Sequence, residues 1–141
     1  MTQTIEFKNR PKIIGSYSVA GPKEGKGPFG EYFDYVMQCD LFGEKTYEKA
    51  ERKMLEQAVT GAIQKAGLTA GDINLLLAGD LLNQIISSSY TARAFNVPFL
   101  GMFGACSTMA ESLAIGASLV NGGHFQNVVC ATGSHFSTAE R

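Results

Sequence analysis

The chain has 141 residues, 45% of them hydrophobic, which suffices for one domain with its own core. A net charge of −1 with 18% charged residues leaves no basic surface of the kind nucleic acid requires. Its longest apolar runs are too short to span a bilayer, MTQTIEFKNRPK lacks a signal-peptide core, and Cys39, Cys106 and Cys130 are too scattered for a disulfide framework or a metal clip, so a cytosolic chain with reduced thiols is expected.

Residues 12–20, KIIGSYSVA, are β-branched and aromatic and predict a first strand. The following GPKEGKGPFG contains GxGxxG at Gly25, Gly27 and Gly30, but Pro28 interrupts it and no helical period follows. A dinucleotide fingerprint needs its last glycine to open a helix that holds the pyrophosphate, so this stretch reads as a loop. Residues 32–42 carry Tyr32, Phe33, Tyr35 and Phe42 with no regular period and are expected to cover a core. From Thr46 to Ala66 the period is helical: Tyr47, Ala50, Met54, Ala58 and Ala62 adjoin a stripe of Leu55, Val59, Ile63 and Ala66, and Gly67 closes the helix.

Asp72 to Asp80, DINLLLAGD, is a short continuous apolar run and predicts a strand buried on both faces. LLNQIISSSYTARAF predicts a helix to Phe95 with Asp80 near its start, and Pro98 opens a strand through Phe99–Phe103. A Gly104-Ala105-Cys106 corner then turns into a helix, Met109–Val120, ending at Asn121-Gly122-Gly123. Thr108 and Glu111 have capping-box spacing, which puts Cys106 at the helix N-terminus, where aligned peptide dipoles favour a thiolate. Asn127–Ala131 is another buried strand, and Ser137 with Glu140 has the spacing of a further helix start.

This alternation predicts an α/β fold, a mainly parallel sheet with helices on both faces. Ligands of such sheets gather at the carboxyl ends of the strands, where Asp80, Gly104–Cys106 and Gly133–His135 emerge. The helix Met109–Val120 is apolar or small almost all round, so a second layer is expected to cover the face turned away from the sheet. Residues 1–141 are accordingly expected to form one half-domain that ends in mid-fold and folds poorly alone.

The run GACS, the small-residue helix ending in Gly122-Gly123, and NVVCATGS resemble the first half of the thiolase superfamily, which includes the ketoacyl synthases. KIIGSYSVAGP, GPFGEYFD, AGDLLNQI, GMFGACSTMAESL and ATGSHFSTAER further resemble the stage V sporulation protein AD family of spore-forming bacteria. The resemblance implies a two-half thiolase-like fold that is incomplete without its second half, with Cys106 on a helix buried between the halves. It implies binding of pyridine-2,6-dicarboxylic acid (dipicolinic acid), calcium being brought in with the ligand and no resident cofactor or metal. It also implies a soluble member of a membrane complex with other stage V proteins, in the forespore and peripheral to the spore inner membrane. A homo-oligomer through the strand near Phe99–Phe103 completes the expected partners, with no nucleic acid among them.

Cys106 holds the nucleophile position of the superfamily, but condensing enzymes draw their catalytic histidines from the second half, and His124 belongs to a surface turn. Covalent catalysis therefore ranks below a role for Cys106 in the floor of a ligand pocket. Ser134, His135 and the Gly133 amide are donors suited to a dicarboxylate, and Asp80 is either a helix cap or a ligand-edge carboxylate. Cys39 and Cys130 read as structural, and Tyr90 and Arg93 as residues near a partner subunit. Two further functions stand beside dipicolinate binding: a condensing acyltransferase using Cys106, and a structural subunit with a vestigial pocket.

Overall fold

The structure is a computed structural model and describes residues 4–134. Its centre is β3 (Leu75–Asp80), six residues that are all buried. β4 (Phe99–Met102) lies on one side of β3 and β5 (Val128–Gly133) on the other, all parallel, with Leu77 opposite both Leu100 and Cys130. The apolar run reads as a doubly buried strand because both faces of β3 are covered. Leu76 and Ala78 pack with Leu55, Val59 and Ile63 of α2 (Tyr47–Lys65) and Ala92 of α3 (Ile86–Phe95). Leu75 and Leu77 face the other way, into a cluster with Met102 and the half-buried Leu119 of α4 (Thr108–Asn121). Burying a leucine contributes about 1.5–3 kcal/mol, so this one strand anchors both layers.

The long helix agrees with its sequence pattern. Thr46 accepts the Lys49 N–H at 3.4 Å as N-cap, and Gly67, at φ +71°, ends the helix where other residues would be strained. Two other elements differ from expectation. The strand expected over 12–20 is reduced to β1 (Val19–Ala20), paired with β2 (Tyr35–Val36) in a separate two-stranded ladder. Residues 12–17 form no strand, with Gly15 against Ala62 of α2 and its C-cap Ala66, and only the Ser18 carbonyl joins the ladder, accepting the Tyr35 N–H at 3.1 Å; β-branched composition fits a half-covered surface and does not by itself dictate pairing. The stretch 21–30 is a loop with a one-turn helix, α1 (Pro22–Gly25), followed by a 3₁₀ turn at Gly30–Tyr32. A Cβ at Gly30 would run into the Gly25 carbonyl, so these glycines serve close backbone packing and open no dinucleotide helix.

The second difference is α3, which starts at Ile86 and not just after Asp80, because residues 81–85 are spent on a turn. α4 also meets the sheet unexpectedly. Its buried residues are Thr108, Ser112 and Gly116, while Met109, Leu113 and Ile115 point outwards at 38%, 38% and 37% exposure. Small residues set a close approach to β3 and β5: a Cβ on Gly116 would lie 3.0 Å from Cys130 Sγ. The second covering layer expected for α4 is not among the described residues.

Candidate functional site at the strand ends

The parallel register brings the predicted edge together. Asp80 stands opposite Gly133, Gly79 opposite Met102, and the Leu81 N–H donates to the Gly133 carbonyl at 3.3 Å. Helices lie on opposite faces before and after β4, so the chain reverses direction across the sheet here, the switch point at which open α/β sheets hold ligands.

Asp80 is 4% exposed, and its carboxylate turns back on its own chain. Oδ1 accepts the N–H groups of Leu82 at 2.9 Å and Gln84 at 3.1 Å, and Oδ2 accepts that of Ile85 at 2.7 Å. Both oxygens are occupied in organising the turn that precedes α3, so Asp80 is a turn-former and not the cap of α3, whose N-cap is Ile85 with no side-chain cap bond. The resulting turn holds Asn83 and Ile85 at φ +56° and +60°. Asn83 Oδ1 crosses to the cysteine corner and accepts the Ala105 N–H at 3.0 Å. Sequence reasoning passed over Asn83; the NQ of AGDLLNQI, an asparagine in a turn where left-handed backbone is tolerated, is the signal that points to it.

The cysteine corner is a 3₁₀ turn, Ala105–Ser107, continuing directly into α4. Cys106 is exposed on it. The capping box expected of Thr108 and Glu111 does not form. Thr108 is already helical, with φ −51° and ψ −41°, so its hydroxyl cannot reach back as an N-cap oxygen must. Thr108 Oγ1 and Glu111 Oε2 are both buried without a hydrogen-bond partner, and Glu111 Oε2 occupies the space where a Gly104 Cβ would be. The Ser107 hydroxyl instead donates to the Gly104 carbonyl at 2.8 Å. A capping box does close elsewhere, between Thr69 and Asp72 before β3.

Gly133 is half-buried and Ser134 exposed at the end of β5. His135 and the helix start at Ser137 and Glu140 lie outside the described residues. His124 is exposed after the far end of α4, a helix length of about 20 Å from the cysteine corner at 1.5 Å per residue. Cys130 faces α4: its thiol donates to the Ser112 carbonyl at 3.2 Å, and burial pushes it up to about 11. Cys39 is exposed. Tyr90 carries the Arg52 guanidinium 5.5 Å above its ring. Among the described residues no group of three or more His, Cys, Asp or Glu is placed to hold a metal ion, and no helix is long and apolar enough to cross a membrane. An apolar cavity of about 360 Å³ opens away from this edge, between residues 11–15, α2, α4 and the start of β5.

A parallel sheet sandwiched between helices, with a cysteine at the corner from edge strand into helix, defines a thiolase-like α/β domain. The 3-oxoacyl-[acyl-carrier-protein] synthase III of Aquifex aeolicus VF5 shares this fold with a TM-score of 0.59 at 22% identity, over 68% of this chain and 32% of its own. The family model for Stage V sporulation protein AD (SpoVAD) matches residues 1–141, and the Stage V sporulation protein AD of Bacillus subtilis (strain 168) is 47% identical over 139 residues. The chain belongs to the stage V sporulation protein AD family. It covers 41% of the length of the Bacillus subtilis relative.

Proposed function

We propose that this protein binds pyridine-2,6-dicarboxylate, free or as its calcium chelate, at the strand-end edge beside Cys106. The observation that carries the reading is membership of a sporulation family along the whole chain on a fold whose strand ends form an open edge. The chemistry is compatible. A carboxylate is favoured by the N-terminal dipole of α4, and the exposed Cys106 and Ser134 are polar groups at the mouth. Calcium enters with the ligand, since the Asp80 oxygens are already taken by backbone N–H groups. The protein acts as the soluble member of a complex with other stage V membrane proteins, in the forespore and peripheral to the inner membrane, loading the compound into the spore. Two copies associate along β4, the edge strand that exposes Leu100 and leads to exposed Phe103.

A condensing acyltransferase is the second reading, favoured by a cysteine at a helix start on a fold shared with a 3-oxoacyl synthase. It needs a base within hydrogen-bond reach of the thiol, and the described histidine, His124, is at the opposite end of α4.

Titration of full-length protein with dipicolinate, with and without calcium, separates the readings. Saturable binding is expected in the wild type, weakened roughly threefold to tenfold in Cys106→Ala if one polar contact is lost. Absence of saturable binding overturns the ligand reading and leaves a structural subunit. A stable acyl adduct on Cys106 after incubation with acyl-CoA, read by mass spectrometry, establishes the transferase instead.

A further inference from the structure

The turn after β3 and the corner after β4 belong to two strands, yet a side chain joins them. Asp80, buried at the end of β3, gathers three backbone N–H groups and shapes residues 81–85. That shape costs something: Ile85 is β-branched with φ +60°, where the left-handed region is unfavourable by roughly 1–3 kcal/mol for such residues. Ile85 is held there at both ends, its N–H by Asp80 and its side chain against β4, where a Cβ on Gly101 would come within 3.2 Å of Ile85 Cγ2. Ala105, immediately before Cys106, is also left-handed, at φ +46°. Its N–H opens a 3₁₀ turn whose preceding residue, Gly104, supplies no side-chain cap. Asn83 Oδ1 supplies the missing acceptor from the neighbouring strand end.

We infer that Asn83 is a positioning residue: it caps the Ala105–Ser107 turn from outside and fixes the backbone that presents the Cys106 thiol. Asparagine suits the post twice. Its own φ of +56° lies where asparagine is among the best-tolerated residues, and its amide oxygen is short and rigid enough to hold a neighbouring N–H. The assignment goes beyond the proposed function, since it concerns the geometry of the corner whatever ligand or chemistry the corner serves.

The protein's cysteines provide the test. Full-length wild type and the variants Asn83→Ala, Asn83→Gly and Asn83→Asp are treated with iodoacetamide, and labelling at each cysteine is followed by peptide mass spectrometry. Cys39, exposed on the loop after β2, normalises the reagent, while Cys130, packed against α4, reports opening of the whole domain. The normalised rate at Cys106 is expected to change roughly threefold to tenfold in the alanine and glycine variants, and to stay within about twofold in the aspartate variant, which keeps an acceptor oxygen. Glycine is the decisive substitution, because it accepts the left-handed backbone freely and removes only the acceptor. An unchanged Cys106 rate in both the alanine and glycine variants overturns the inference. So does a change in the glycine variant matched by Cys130, which reports general unfolding, or an aspartate variant that behaves like alanine. No ligand enters the readout, so failure of dipicolinate binding and failure of the positioning role are separately visible.

Discussion

Three cysteines of identical chemistry occupy different surroundings: Cys39 and Cys106 are exposed, and Cys130 sits under α4 with its thiol on the Ser112 carbonyl. Burial holds the Cys130 thiol up at about 11 against an ordinary value of 9.0. Because the folded state resists deprotonation, stability is unaffected below the ordinary value and falls as pH rises from there towards about 11. Denaturant midpoints between pH 8 and about 10.5 are expected to decline, and Cys130→Ala to flatten that decline; an equal slope in the variant removes the effect. At the acid end the sign reverses. Lys65 and the Ser18 N–H hold the Asp34 carboxyl below its usual range, and the Thr69 hydroxyl and N–H do the same for Asp72. Their contribution is present above the ordinary carboxylate range and lost as pH falls through the lowered values. Asp80 and Asn83 show a different economy: one carboxylate shapes a turn, and one amide passes that shape to the next strand end.

Glycine decides how the elements approach one another at the site. Gly79, next to the end of β3, faces the Met102 carbonyl and the Thr108 methyl, and a Cβ there would collide with backbone that cannot rotate away. Gly79→Ala is expected to lower stability by about 1–3 kcal/mol through overpacking. Gly21, with nothing near its would-be Cβ, is the control, and Gly21→Ala is expected to stay within about 0.5 kcal/mol. Urea unfolding of the two variants checks the contrast, and equal effects would contradict the packing account. The same reasoning explains the face that α4 turns inward. Thr108, Ser112 and Gly116 recur every four residues and let the helix axis settle close to Cys130 and Leu77, which pushes the larger apolar side chains outward.

On the scale of the molecule, apolar side chains stand open on the outer face of α4 and along β4 and the residue after it, with Leu100 at 50% and Phe103 at 63% exposure. An unpaired edge strand bearing exposed apolar residues is a template for pairing. On the proposed association along β4, light scattering of the full-length protein is expected to give a dimer for wild type and a monomer for Phe103→Asp; a monomeric wild type overturns the association, and a variant that stays dimeric removes β4 from the interface.

Local pattern was sufficient for much of this architecture. The helix at 47–65, the doubly buried strand at 75–80, the glycine corner before Cys106 and the strand-helix alternation were all legible, because period and burial are properties of consecutive residues. The gathering of Asp80, the cysteine corner and Gly133 at one edge followed from that alternation. What sequence could not decide is whatever depends on a partner distant along the chain. Residues 12–17 look like a strand but find no strand to pair with, Thr108 and Glu111 have cap spacing but meet an incoming 3₁₀ turn, and α4 hides its polar small residues because the sheet demands closeness. The bond from Asn83 to Ala105 spans twenty-two positions and exists only because β3 and β4 end side by side. A hydrogen bond's partner is selected by three-dimensional register, and that information is absent from either segment alone.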